Sequence, residues 1–244
     1  MAEALAINGP PSNQQTSWSD YVAYLNQDLT DIITEIEKRL GYAIDAPEVG
    51  CPPVCRIGGR PFNPDFTRHA YVMHRVGQLG IQPDEPILEI GGGYGCVARF
   101  AYLRGHTDYT IIDLPYVNAI QMLFLGATIG SGNVSGYGEA RAAVQLIPSH
   151  RKELIAGRSH ALAINMNSLP ELERSEALEY LELISRASRY FLSINQEARK
   201  TYGNKGEQLF INRMIAESGL MQLLNRHKYW MDQGYTEELY ATNA

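Results

Sequence analysis

Cysteine is scarce, with three residues in a chain of 244. That is too few for a disulfide framework and suits a reducing compartment. Cys51 and Cys55 lie close together in Cys-Pro-Pro-Val-Cys. No second Cys/His pair follows at zinc-ribbon spacing, so they read as free thiols in a proline-stiffened loop, and no metal site is expected. Basic clusters are missing too. The formal net charge is −6, and no run of Lys and Arg offers a surface for nucleic acid. No apolar run reaches transmembrane length; the longest candidate, residues 119–130, is short and interrupted by Gln121. The first residues, Met-Ala-Glu-Ala-Leu, have neither the basic start nor the apolar core of a secretory signal. Together these absences lead us to expect a cytoplasmic protein that engages neither membrane nor nucleic acid.

What is present is an α/β pattern. With 45% hydrophobic residues, the chain suits one large α/β domain over residues 81–244, preceded by a helical extension over residues 1–80. Residues 1–16, rich in Gly, Pro, Asn, Gln and Ser, are expected to lack structure. Apolar residues at helical spacing from Tyr21 to Leu40 predict one amphipathic helix from Ser17 or Ser19 to Gly41. A proline-rich loop over 45–64 follows, then a helix over 64–79. Strands are expected at 86–90, 109–113, 142–147, 161–165, 190–195, 221–229 and 235–241. Helices are expected over 95–104, 115–128, 171–188 and 205–218, with a flexible Gly/Ser segment at 130–138. Strand–helix alternation argues for a parallel sheet.

Residues 86–95, Pro-Ile-Leu-Glu-Ile-Gly-Gly-Gly-Tyr-Gly, carry the chemistry. An apolar run without alternation reads as a buried parallel strand. The glycines after it permit a sharp turn and close approach to a ligand. A phosphate-binding P-loop needs Lys-Ser/Thr after its last glycine, and none is here. The dinucleotide fingerprint G-x-G-x-x-G is met at Gly91 and Gly93, but Cys96 stands at its third position. The next strand ends in Asp113, one βαβ step after Glu89, where a carboxylate can accept both hydroxyls of a ribose.

The combination Glu-x-Gly-Gly-Gly-x-Gly with Ile-Asp-Leu-Pro (112–115) resembles class I S-adenosylmethionine (SAM) methyltransferases. That resemblance implies a Rossmann-like, seven-stranded sheet whose last two strands form an antiparallel hairpin. Three further segments narrow it: Ile-Asn-Met-Asn-Ser-Leu-Pro-Glu-Leu (164–172), Phe-Leu-Ser-Ile-Asn-Gln-Glu (191–197) and Tyr-Trp-Met-Asp-Gln-Gly-Tyr-Thr-Glu-Glu-Leu-Tyr (229–240). With these, residues 60–240 resemble a family of sugar O-methyltransferases. The resemblance implies SAM as cofactor, S-adenosylhomocysteine as product, and a sugar or related small hydroxylated acceptor. It assigns Glu89, Gly91, Gly93, Tyr94 and Asp113 to the cofactor, with Leu114 over one adenine face. The acid that such enzymes carry after the third strand is missing, and Gln145 or a backbone group is the candidate substitute.

Methyl transfer to a hydroxyl also calls for a general base. Glu171 and Glu197 fall in loops after the fourth and fifth strands, and His69 lies on the helix before the core. Each also has a structural reading. Glu171 suits the first turn of a helix, Glu197 follows the polar pair Asn195-Gln196, and His69 suits a surface or packed position. A divalent metal would need Glu171, Asn195 and Glu197 to converge. The C-terminal aromatics Tyr229, Trp230, Tyr235 and Tyr240 either stack on a ligand or pack the last hairpin. The N-terminal helices are expected to cover the acceptor or to form a homodimer interface. Two other functions fit the fold: an NAD(P)-dependent oxidoreductase, for which no Tyr-x-x-x-Lys is found, and a non-catalytic SAM-binding partner protein.

Overall fold

A computed structural model describes residues 26–50, 52–197 and 208–243, with residues 1, 2, 5, 7, 17, 19, 22 and 23 nearer the start. Most of the 1–16 stretch, Cys51 and residues 205–207 of the expected helix lie outside the described residues. The chain divides into two compact units, Met1–Leu79 and Gly80–Ala244.

The N-terminal unit departs from its expectation twice. Ser19, Val22 and Ala23 are helical, but the chain is extended at Asp28 before helix α1 (Leu29–Leu40) begins. The Asp28 carboxylate accepts the Thr30 N–H at 2.7 Å. A short side chain that satisfies an orphan helix donor favours a new start at this position, so the expected single helix is interrupted. Gly41 closes α1 in the left-handed conformation. The second departure is a hairpin inside the expected loop. Strands β1 (Cys55–Ile57) and β2 (Arg60–Phe62) pair antiparallel. Gly58 and Gly59 between them both have positive φ, as a two-residue turn matched to strand twist requires. Arg60 forks onto Glu37 of α1 at 2.8 and 2.6 Å, tying hairpin to helix. Helix α2 (Pro64–Gln78) follows, capped by Asn63, which accepts the Asp65 N–H.

The C-terminal unit alternates strand and helix: β3 (Ile87–Ile90), α3 (Cys96–Leu103), β4 (Tyr109–Asp113), α4 (Pro115–Leu125), β5 (Val134–Ser135), β6 (Val144–Pro148), β7 (His160–Met166), α5 (Arg174–Ala187), β8 (Ser188–Gln196), α6 (Ile211–Ser218), β9 (Gln222–Lys228) and β10 (Tyr235–Ala241). The sheet order is β5-β6-β4-β3-β7-β8-β10-β9. All neighbours are parallel except β10, which runs antiparallel to β8 and β9. Eight strands stand where seven were expected. The addition is β5, a two-residue edge strand beside β6 within the segment read as flexible.

The central strands are buried on both faces, which explains their unbroken apolar runs. Leu88 and Ile90 face a core shared with Leu181, Ile184, Met214 and Ile215 of α5 and α6. Each such side chain, fully buried, stabilises the fold by roughly 1.5–3 kcal/mol. Tyr229 and Tyr240 are buried, and Tyr240 stacks on Phe191 at 6.1 Å; Trp230 stays exposed. Among the described residues no helix is long and apolar enough to cross a membrane.

Candidate functional site

After β3 the chain steps to β4 and β6 on one side, then returns to β7 on the other. An open α/β sheet binds ligands beyond the carboxyl ends of its strands, where the order reverses, here between β3 and β7. The glycine turn occupies that place. Gly91, Gly93 and Gly95 all have positive φ, and the Gly91 N–H bonds the Ile112 carbonyl at 2.9 Å. Gly91 also meets the loop after β7: a Cβ there would lie 2.1 Å from Ser168 Oγ. Ser168 in turn donates to the Ile90 carbonyl at 2.9 Å, as does Asn165 Nδ2. Asn167 beside it takes a left-handed φ of 62°. Its N–H bonds the Asn195 side-chain oxygen at 2.9 Å and the Ile194 carbonyl at 3.1 Å. Strain of this kind persists only where surrounding bonds over-determine it.

Asp113 ends β4 beside this turn. Its Oδ1 accepts the Leu114 N–H at 2.8 Å, and its Oδ2 accepts the Gly93 N–H at 3.2 Å and Gln121 Nε2 at 2.9 Å. A carboxylate offers about four lone-pair positions. Leu114, Gln121 and Gly93 bond it directly, Gly93 at the longest distance, and the Gly92 N–H also acts on it, so a diol can enter by exchange with the weaker bonds of the glycine turn. Burial raises the Asp113 pKa, while the hydrogen bonds from Leu114, Gln121 and the glycine turn pull it back. Space is present for a ligand. A Cβ on Gly93 would meet nothing within 4 Å, and Tyr94 and Leu114 on either side are exposed.

Glu89 lies beneath this surface, buried, and accepts the Tyr109 hydroxyl at 2.9 Å. Burial pushes its pKa up to about 7, with the nearby Asp113 charge adding to the rise. It supports the turn from below: a Cβ on Gly92 would come within 3.0 Å of Glu89 Oε2. Cys96, at the third fingerprint position, is buried at the start of α3. A small side chain fits the close helix–strand packing that this position demands.

The structure thus brings Gly91, Gly93, Tyr94, Asp113 and Leu114 to one edge, with Glu89 under them. It does not bring Gln145 there. Strand β6 runs on to Pro148, which pairs with Asp113, while Gln145 pairs with Thr110. Gln145 thus sits three positions behind the edge and is bound by Arg141. The first carboxylate beyond β6 is Glu153, paired with Arg151 at 2.7 Å.

Of the candidate bases, Glu171 and Glu197 lie beyond the ends of the neighbouring strands β7 and β8. Glu171 is exposed at the end of a short 3-10 turn. Glu197 Oε2 is held by Arg226 from β9, which also pairs with Glu238 at 3.2 Å. Burial raises the Glu238 pKa. Glu197 lines a cavity of about 690 Å³ with Arg174, Gln208, Leu209, Phe210 and Arg213. His69 belongs to the N-terminal unit, on α2, where burial lowers its pKa to about 4; it is neutral at pH 7. Among the described residues no group of three or more His, Cys, Asp and Glu is placed to hold a metal ion.

Sequence reasoning missed Gln121. It read as a polar interruption of an apolar stretch, yet it is fully buried and donates to both Asp113 and the Gly93 carbonyl at 2.9 Å.

No family model matches the chain, and no curated protein matches it. Its fold, by contrast, matches 867 solved chains. The PH0226 protein from Pyrococcus horikoshii OT3 aligns with a TM-score of 0.55 at 8% identity, over 73% of this chain and 92% of that one. The glycopeptide N-methyltransferase MtfA, solved with sinefungin, gives 0.54 at 10% identity, over 71% and 93%. The mitomycin 7-O-methyltransferase MmcR gives 0.51 at 11%, over 73% of this chain and 56% of that one. At these identities the likeness shows the fold alone: a Rossmann-like, mostly parallel α/β sheet with an antiparallel strand pair at one edge.

Proposed function

We propose that this chain is a SAM-dependent methyltransferase acting on a hydroxyl of a sugar or related small acceptor. The observation that carries the cofactor assignment is Asp113. It is a half-buried carboxylate at the end of β4, bonded to the glycine turn of β3 and flanked by exposed Tyr94 and Leu114. Such a group suits a ribose diol, with the turn beside it for the amino-acid end of the ligand and Leu114 against the base. The solved complex of MtfA with sinefungin, a SAM analogue, lends support.

When bound, SAM supplies a methyl group on a sulfonium, ready for displacement. The residues of this chain align the acceptor and exclude water. An acceptor hydroxyl must lose its proton as the methyl arrives, and Glu197 is the residue assigned to receive it. Arg226 fixes Glu197 by Oε2, which leaves Oε1 for the hydroxyl. The cavity beside Glu197, about 690 Å³, falls in the size range of small-molecule sites. The sugar class of acceptor rests on the resemblance of segments 164–172, 191–197 and 229–240, and MmcR is an O-methyltransferase of a small molecule by name.

Calorimetry of the purified protein with SAM, S-adenosylhomocysteine and NAD tests the cofactor. Micromolar binding of the first two and none of NAD is expected, and a panel of sugars then tests the acceptor. Binding of NAD instead, or of none of the three, overturns the reading.

A further inference from the structure

We infer that Gln121 is a positioning residue for the ligand-binding carboxylate: held by Asn118, its carboxamide fastens Asp113 to the glycine turn before any ligand arrives. This inference rests on the functional reading above and deepens it.

The geometry is specific. Gln121 lies on α4, on the face that also carries buried Phe124 and Leu125. Its Nε2 donates two bonds of 2.9 Å, one to Asp113 Oδ2 at the end of β4 and one to the Gly93 carbonyl in the turn after β3. Its Oε1 accepts from Asn118 Nδ2 at 2.9 Å, one helical turn back. Both amide hydrogens and the carbonyl are therefore used. One side chain fixes the rotamer of the carboxylate and the path of the turn together. A carboxamide suits this role because it is neutral and donates twice from one nitrogen. An acid here would repel Asp113, and an apolar residue would leave Asp113 and the Gly93 carbonyl short of a donor. Asp113 already faces Glu89 from β3 and Tyr180 from α5. A neutral donor relieves that crowding without adding charge.

The test is a double-mutant cycle on S-adenosylhomocysteine binding. Gln121→Leu keeps the volume and removes the donors. By calorimetry it is expected to weaken S-adenosylhomocysteine about 10-fold or more in a folded protein. In an Asp113→Ala background the same change is expected to cost nothing further, because the residue acts through Asp113. Should Gln121→Leu not fold, Asn118→Ala at a half-buried position replaces it, with a loss of about 2-fold.

A second readout needs no ligand: NMR titration of the Asp113 carboxyl, whose pKa is expected to rise in either variant as a donated bond is lost or loosened. Undiminished affinity in folded Gln121→Leu overturns the inference, as does an equal loss with and without Asp113. If the wild type binds no S-adenosylhomocysteine, the functional reading fails instead. An unchanged Asp113 titration then decides against the positioning role separately.

Discussion

Replacing Gly91 with alanine tests the packing of the turn after β3 against the loop after β7, where the strand order reverses. Gly91 has a φ of 72°, and an added Cβ would lie 2.1 Å from Ser168 Oγ and 2.3 Å from Ser168 Cβ. The left-handed backbone alone costs alanine about 1–2 kcal/mol. Overpacking a site that cannot give adds about 1–3 kcal/mol. Ser168 cannot give freely, because Oγ is held by the Ile90 carbonyl at 2.9 Å and by Asn165 Nδ2 at 2.5 Å. Gly91→Ala should therefore destabilise by roughly 2–5 kcal/mol, a fall in Tm of roughly 5–15 °C for a chain of this length. Ser168→Gly alone loses the bond to Ile90 and should cost about 1–2 kcal/mol. The double variant removes the clash and keeps only the backbone strain and the lost bonds. It should be more stable than the sum of the singles by about 1–3 kcal/mol. Urea unfolding of all four proteins measures this coupling. Additive effects, or a single Gly91→Ala as stable as the parent, would refute the reasoning.

Asp113→Ala should weaken SAM by about 1–3 kcal/mol with little change in Tm; calorimetry showing parental affinity would remove the carboxylate from the site. Glu89 gives a pH signature. Its folded pKa, raised to about 7, means that its contribution is fully present below the unfolded value and is lost as pH climbs through 7. The parent should thus lose roughly 2–3 kcal/mol more stability than Glu89→Gln between pH 5 and 8. Parallel denaturation curves at the two pH values would contradict this. Glu197→Gln should leave SAM affinity intact and slow turnover about 100-fold on whichever acceptor the sugar panel identifies; parental turnover would take Glu197 out of the mechanism.

The parts of the fold legible in the sequence are those where one local pattern meets one environment. Ile87–Ile90 and Tyr109–Ile112 read as buried strands because they are covered on both faces. Gly91 and Gly93 read as a turn because only glycine enters that backbone region freely. Two local signals were present and outweighed. Gly58-Gly59 between Ile57 and Arg60 is a hairpin turn by composition, masked by the prolines around it. Asp28, followed three positions later by Asp31 in the first turn of α1, is a helix start set inside a longer apolar period.

The rest of the candidate site was illegible because its partners are tertiary. Gln145 is an edge residue only if β6 ends at 147; pairing of Pro148 with Asp113 moves the edge forward. Arg226 reaches Glu197 across 29 positions, through a hairpin. Gln121 reaches Gly93 across 28. A polar residue within an apolar helix carries two opposite meanings in sequence, an exposed break or a satisfied buried group. Burial without partners costs about 1–3 kcal/mol, so a fully buried amide implies a ready set of acceptors. Here those acceptors are Asp113 and the glycine turn, the two features that the sequence did mark. The interruption at Gln121 therefore pointed toward the site, but only the sheet order that sets α4 beside the turn reveals it.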